Sequence, residues 1–156
     1  MKLDVLASEE SNSPWYADGL KFSCTQCGNC CTGGPGYVWI SVEEIERLAA
    51  HMKLTRLEVT RQYCRLIGKR WSLKEMKSPK NELDCIFLRL DTKGRRTCGI
   101  YEVRPLQCRT WPFWDGLLES KDAWNTAKAG CPGMDKGKRY TLEQVEKFRD
   151  AKDWPV

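Results

Sequence analysis

Four of the nine cysteines in this chain lie within eight consecutive positions: Cys24, Cys27, Cys30 and Cys31. A cysteine thiolate is a soft, strongly donating ligand that suits zinc ions and iron–sulfur clusters. The spacing C-x2-C lets two sulfurs from one tight turn reach the same metal. Continued to C-x2-C-x2-C, it matches the first three ligands of the bacterial ferredoxin pattern, in which successive cysteines take three corners of a cubane cluster. The segment therefore indicates one part of a metal site.

The adjacent pair Cys30 and Cys31 raises a separate question of geometry. In an extended backbone, neighbouring side chains point to opposite faces. We therefore expect the pair either to serve two different centres or to include one cysteine that binds no metal. The ferredoxin pattern ends with a cysteine before a proline, and the only Cys-Pro in this chain is the distant Cys131-Pro132. A fourth ligand is therefore expected from a remote part of the chain.

Four further cysteines extend the candidate ligand set, and one is set aside. Cys64 lies among apolar positions of a predicted helix and is interpreted as a small buried residue. Eight thiolates suit two four-thiolate sites, or one such site beside a reactive group. Zinc sites usually pair two separated C-x2-C knuckles, and the later cysteines form none, which favours a 4Fe–4S iron–sulfur cluster over Zn2+. The candidate metal ligands are Cys24, Cys27, Cys30, Cys31, Cys85, Cys98, Cys108 and Cys131.

Two arginines are candidates for binding a cofactor. Arg104 and Arg109 flank Cys108 and could donate to cluster sulfides or offset the negative charge of a thiolate-bound cluster. The alternative is that they pair with acids such as Glu102. His51 is the single histidine, so a histidine-rich zinc site or a Cys–His nucleophile pair is hard to build. No catalytic residue is assigned.

Composition and charge bound the class of protein. At 156 residues with 41% hydrophobic and 30% charged residues, the chain predicts one soluble globular domain. No apolar stretch approaches the roughly 20 residues needed to span a bilayer, and no secretory signal pattern opens the chain. A cytoplasmic location is therefore predicted, where a disulfide framework is disfavoured.

The net charge of +5 is mild. Its scattered basic doublets fit a solvated surface better than a nucleic-acid site, which stays a weaker alternative.

Capping signals and hydrophobic patterns predict the elements that position the cysteines. Ser41 with Glu44 forms a capping box before a helix over 42–51, and Thr141 with Gln144 forms another before a last helix. Thr55 with Glu58 predicts a second helix, with Leu57, Tyr63, Leu66 and Ile67 on its buried side and Gly68 at its end. Short strands are predicted at 37–40, 85–90 and 97–101, the last two joined as a hairpin by residues 91–96.

These elements predict an α+β fold. We expect a polar, weakly structured leader over residues 1–19 and one cysteine-cluster metal-binding domain over 20–156. Within it, short helices, a β-hairpin and irregular loops would be organised around one or more cysteine-ligated metal centres. The hairpin would place Cys85 at one end and Cys98 on the returning strand.

The joint pattern resembles a known family. Its parts are F-x-C-x2-C-G-x-C-C from Phe22 to Cys31, C-x-F-L from Cys85, C-x-I-Y-x-x-R-P-x-x-C-R from Cys98 to Arg109, and the late Cys131. Together they are similar to the YkgJ-type CxxCxxCC cysteine-cluster family, a zinc- or iron-chelating domain related to the flagellin lysine N-methylases. The resemblance spans residues 22–133. It implies that the same eight cysteines bind metal and leaves Cys64 outside the pattern.

Three functions are compatible with these observations. The first is a metal-binding protein that holds a 4Fe–4S-type centre in a redox or structural role and works with an unidentified protein or redox partner. The second is a zinc-stabilised interaction module that binds protein or RNA. The third, implied by the resemblance alone, is a component or relative of a protein-lysine N-methylase. No membrane association is predicted.

Overall fold

The computed structural model describes residues 12–33, 35–152 and 154. Most of the predicted leader, residues 1–11, lies outside the described residues. The helices are α1 (Val42–Met52), α2 (Arg56–Tyr63), α3 (Leu106–Thr110), α4 (Asp115–Leu118), α5 (Lys121–Lys128) and α6 (Leu142–Asp150), with 3-10 helices at Asn29–Cys31 and Tyr101–Val103.

The strands form small antiparallel sheets. β1 (Leu20–Phe22) pairs with β9 (Met134–Tyr140), and β4 (Arg70–Leu73) lies between β2 (Trp39–Ile40) and β3 (Cys64–Ile67). β5 (Glu75–Lys77) pairs with β6 (Leu83–Cys85), and β7 (Leu88–Leu90) pairs with β8 (Arg96–Cys98). The fold is a small α+β domain, as the sequence predicts.

The three predicted capping boxes are confirmed. Ser41, Thr55 and Thr141 each accept a hydrogen bond from the backbone N–H three residues on, and the third residue's side chain accepts from the cap backbone in return. These reciprocal bonds satisfy donors that the first helical turn leaves free. Helices α1, α2 and α6 therefore begin where the sequence indicates.

The predicted second helix is wrong in its extent. α2 ends at Tyr63, and Cys64 begins strand β3, which turns back through Gly68 (φ 60°) to pair with β4. Leu57, predicted to be buried, is 60% exposed. The cause is non-local: residues 64–67 have a strand partner in residues 70–73, and this pairing overrides the helical spacing.

The predicted hairpin is confirmed in its centre and wrong at its ends. β7 and β8 pair around the predicted turn, where Gly94 has φ 75°. Cys85, however, belongs to β6, which pairs with β5 instead, and Ile86-Phe87 separates β6 from β7. Tyr101 begins a 3-10 helix rather than ending a strand.

The buried side chains form two separate clusters. The first is built around α1 and includes Ile45, Leu48 and Phe87. The second includes Tyr16, Phe113 and Trp124, and the indole N–H of Trp15 donates to the Leu118 carbonyl (2.7 Å). Among the residues described, no helix is both long and apolar enough to span a membrane.

Candidate metal centre

All eight cysteines of the predicted set line one cavity of about 210 Å³, the thiol cavity. The walls between them are mainly apolar and include Leu73 and Ile100 from the first cluster and Phe22 from the second. The thiol cavity therefore lies between the two clusters. A single water needs only about 10–15 Å³ of such volume, so the space far exceeds that of one small molecule.

The first two sulfurs lie in a turn that directs backbone N–H groups at them. Gln26 N lies 3.3 Å from Cys24 Sγ, and Asn29 N lies 3.4 Å from Cys27 Sγ. Gln26 (φ 56°) and Gly28 (φ 75°) both have left-handed backbones, which bend the chain around the sulfurs. A Cβ at Gly28 would lie 2.9 Å from Arg96 Cβ, so the turn needs glycine to approach the β7–β8 hairpin. Such donors stabilise a thiolate relative to a thiol.

Cys30 and Cys31 do not point to opposite sides, contrary to the expectation from sequence. Both belong to the 3-10 helix Asn29–Cys31, which Gly28 precedes, and both line the thiol cavity. Their sulfurs lie 3.8 Å apart. The expectation assumed an extended backbone, whereas the helical turn rotates successive side chains by about a third of a circle.

The other four cysteines arrive on different elements. Cys85 ends β6, Cys98 ends β8 and Cys108 lies on α3. Cys131 precedes β9, and the indole N–H of Trp111 points at its sulfur, with Nε1 3.5 Å from Sγ.

Backbone contacts hold the Cys131 loop against the opening segment. Ser23 N donates to the Gly133 carbonyl (3.1 Å), and a Cβ at Gly133 would collide with the Ser23 carbonyl oxygen. The side chain of Asn29 donates to the Gly130 carbonyl (3.0 Å). These contacts bring together cysteines that lie about a hundred residues apart in the chain.

Of the two predicted cofactor-binding arginines, only Arg104 lines the thiol cavity. Its guanidinium carbon lies 3.9 Å from the centre of the Tyr101 ring, and its Nε donates to the Tyr101 carbonyl (2.9 Å). Arg109 lies behind it, donating to the Arg104 carbonyl (3.0 Å) and pairing with Glu44 (3.3 Å). Arg109 therefore pairs with an acid, as the alternative stated, and that acid is Glu44 rather than Glu102.

The electrostatics of the cavity favour the neutral thiol at Cys31, Cys85, Cys98 and Cys108. Burial raises the pKa of Cys85 to about 11 and also raises that of Cys98 and Cys108, and neighbouring thiols raise each further. The hydrogen bond between the paired sulfurs raises the pKa of Cys31 and lowers that of Cys30 to about 7. The positive charge of Arg104 also lowers the pKa of Cys30. Arg104 is thus the cation that offsets thiolate charge in the cavity.

The distances between the sulfurs bear on the kind of metal group, a single ion or a cluster, that the cysteines can bind. Among the described residues, no three Cys, His, Asp or Glu side chains converge closely enough to hold one bare ion. Four thiolates around a tetrahedral zinc with 2.3 Å bonds lie about 3.8 Å apart. A cluster instead takes one thiolate at each of several irons, which spreads the sulfurs around its volume. Eight thiols line this roomy cavity together with N–H donors and an arginine, and such a lining suits metal held by thiolates.

Residues outside the cavity include the two that the sequence set aside. Cys64 is 3% exposed in the first cluster, where burial raises its pKa to about 11. His51 lies in the last turn of α1.

Sequence reasoning did not single out Trp111 or Tyr101 as parts of the site. Tyr101 lies within the segment from Cys98 to Cys108 and Trp111 lies just after it. That position in the sequence is the feature that could have identified them.

Comparison with known proteins agrees with this geometry. A family model described as "CxxCxxCC: Putative zinc- or iron-chelating domain" matches residues 23–132. The "Uncharacterized protein MJ0661" of Methanocaldococcus jannaschii is 33% identical over 99 residues, which are 63% of this chain and 48% of that protein. The chain therefore spans about half the length of that relative. No solved structure matches this chain.

Proposed function

This chain belongs to the CxxCxxCC family of metal-chelating cysteine domains, and we propose that its eight cysteines bind an iron–sulfur cofactor of the 4Fe–4S type that has a redox role. The observation that carries the proposal is the thiol cavity itself. Its eight sulfurs surround a volume of about 210 Å³ instead of converging on a point. When bound, a cluster of this kind supplies one-electron transfer.

The chain's own residues would tune that centre. The N–H groups of Gln26 and Asn29 donate to the sulfurs of Cys24 and Cys27. Arg104 places a positive charge beside the thiolates, with its side chain fixed against the Tyr101 ring. Hydrogen bonds to sulfur and nearby charge are among the factors that set cluster potentials.

Access for a redox partner is supported by the exposure of the opening segment. Cys24 and Cys30 are exposed, whereas Cys85, Cys98 and Cys108 are half-buried. A centre held here would lie near the surface on the side of residues 24–30. We therefore expect a partner protein to exchange electrons through this segment.

Electron paramagnetic resonance on anaerobically purified protein tests the redox role. Reduction with dithionite should bleach the visible absorbance and produce a paramagnetic signal, and reoxidation should reverse both. Protein that is colourless and silent in both states would contradict the proposal.

A second candidate, a zinc-stabilised interaction module, is favoured by one specific distance. The 3.8 Å between the sulfurs of Cys30 and Cys31 equals the ligand spacing around one tetrahedral zinc. The same chain carries a basic aromatic surface: the Tyr37 and Trp39 rings stack at 4.9 Å, with Arg65 over the first (5.2 Å) and Arg70 over the second (5.9 Å). The Tyr37 ring is exposed and the Trp39 ring is half-buried, and aromatic rings beside arginines suit base stacking with single-stranded RNA.

Fluorescence anisotropy with a labelled single-stranded RNA tests this second candidate. Tyr37 is 49% exposed, so Tyr37→Ala should weaken binding without removing metal. Equal affinity of the unmodified chain and this variant for the RNA would contradict this second candidate function.

A further inference from the structure

A second cavity of about 210 Å³ adjoins the thiol cavity and shares part of its wall. Its other side carries the aromatic side chains of Tyr37 and Trp114, and we call it the aromatic cavity. The amide of Gln107 on that side is already engaged, since it accepts from Trp39 N (2.8 Å) and donates to the Tyr37 carbonyl (3.0 Å). The carboxylate of Glu75 also lines the cavity and is paired with Arg65 (3.6 Å), so the sulfur wall is what the cavity offers a metal.

The two cavities divide the eight cysteines into two sets of four. The boundary cysteines line both cavities and are Cys30, Cys31, Cys85 and Cys108. The far cysteines line the thiol cavity but not the aromatic cavity and are Cys24, Cys27, Cys98 and Cys131. Four is the number of thiolates that one structural zinc or one 4Fe–4S cluster takes.

We propose that the chain holds two metal centres, one bound by the boundary cysteines and the other by the far cysteines. The inference rests on the proposed function only in requiring that the cysteines bind metal. Clusters suit the present spread of the sulfurs, whereas a zinc ion at either centre would require the four sulfurs of that set to draw together, since no three converge on one ion among the described residues.

The boundary cysteines are close neighbours. The sulfurs of Cys30 and Cys31 lie 3.8 Å apart. Cys85 and Cys108 lie with them in the wall that the two cavities share.

The far cysteines are joined by the opening turn and its contacts. Cys24 and Cys27 form the C-x2-C turn, whose two sulfurs can reach one metal. The Asn29 to Gly130 hydrogen bond (3.0 Å) holds the Cys131 loop beside that turn. Cys98, at the end of β8, lines the thiol cavity but not the aromatic cavity, and we therefore assign it to the far set.

Metal content of alanine variants tests the division. Cys31→Ala, Cys131→Ala and the double variant Cys31→Ala/Cys108→Ala should each keep half of the metal of the unmodified chain. The double variant Cys31→Ala/Cys131→Ala should keep none. Cys64→Ala is the matched control, a buried cysteine outside both cavities, and should keep all the metal. Loss of all metal in Cys31→Ala/Cys108→Ala, or retention of half in Cys31→Ala/Cys131→Ala, would overturn the division.

Native mass spectrometry of the unmodified chain keeps the proposal testable where a variant fails to fold. The expected mass is that of the chain with two equal centres, which a chelator removes in two steps. A chain that carries one centre would overturn the proposal. Two zinc ions per chain would contradict the iron–sulfur function and keep the two centres, whereas a single 4Fe–4S cluster would do the reverse.

Discussion

Arg104 and Arg109 lie five residues apart and carry the same charge, yet they face different surroundings. Arg104 lines the thiol cavity beside the Tyr101 ring, and Arg109 pairs with Glu44 behind it. Because a positive charge favours the added electron, only Arg104 is placed to raise the reduction potential of a centre in the cavity.

Arg104→Gln is therefore expected to lower the reduction potential, and Arg109→Gln is the matched control that also removes one positive charge. Arg109→Gln should leave the potential unchanged and instead cost on the order of 1 kcal/mol of stability, since Glu44 loses an ion-pair partner. Potentiometric titration of both variants measures the difference. Equal shifts in the two would contradict the placement of Arg104 at the centre.

The raised pKa values predict that metal uptake releases protons. Burial raises the pKa of Cys85 to about 11, and those of Cys98 and Cys108 are also raised, so these thiols are protonated at neutral pH in the metal-free chain. Metal binds the thiolate, so the apparent affinity should fall as the pH is lowered. Calorimetric zinc titrations in buffers of different ionisation enthalpy count the protons released. A binding enthalpy that is independent of the buffer would count against this assignment.

Residue type and spacing were enough to predict the eight cavity cysteines and to separate Cys64 from them. The orientation of Cys30 and Cys31 could not be predicted from the same pattern. It depends on the 3-10 helix after Gly28, whose left-handed backbone is fixed by its approach to the β7–β8 hairpin. That contact joins residues nearly seventy positions apart.

At the scale of elements, Glu44 connects α1 to the helix that carries Cys108. Its Oε2 accepts from Ser41 N (3.0 Å) to complete the capping box, and its Oε1 accepts from Leu106 N (2.6 Å) at the start of α3. Glu44 is only 6% exposed. One carboxylate thus fixes both the first turn of α1 and the position of Cys108.

Glu44→Ala is expected to destabilise the fold by about 1–3 kcal/mol, because it leaves the half-buried N–H of Leu106 at the start of α3 without its acceptor, and to lower metal content. Glu58→Ala is the matched control, since Glu58 completes the same kind of box in α2 but accepts no bond from α3. It should destabilise the fold less than Glu44→Ala does and keep the metal. Urea unfolding and metal analysis compare the two variants. Equal metal content in both would contradict the role of Glu44 in positioning Cys108.

Local signals predicted element starts better than element ends. The capping boxes depend on residues three apart, and all three were predicted from the sequence. The end of α2 at Tyr63 depends on the pairing of β3 with β4, and the assignment of Cys85 depends on the pairing of β6 with β5. Partners of this kind cannot be identified from a local pattern.

At the scale of the whole molecule, the cysteines lie where the two hydrophobic clusters meet. Cys85 and Cys98 pack against the first cluster, and Cys131 packs against the second together with Trp111. A metal centre that binds cysteines from both sides would join the clusters covalently. The sequence predicted one domain around metal but gave no signal that its core is divided.

Metal removal should therefore uncouple the two clusters. With metal bound, we expect one cooperative unfolding transition, because neither cluster can separate from the cysteines it contributes. Without metal, the clusters should unfold in two steps with lower stability. Hydrogen exchange on Leu48 and Trp124, one in each cluster, follows the two steps separately. A single transition of unchanged midpoint after metal removal would contradict this view.

Elemental analysis of the anaerobically purified chain for iron, acid-labile sulfide and zinc tests the iron–sulfur function most directly. We expect iron and sulfide in equal amounts, about four of each for every occupied four-thiolate site. Colourless protein with stoichiometric zinc and no sulfide would contradict the iron–sulfur function.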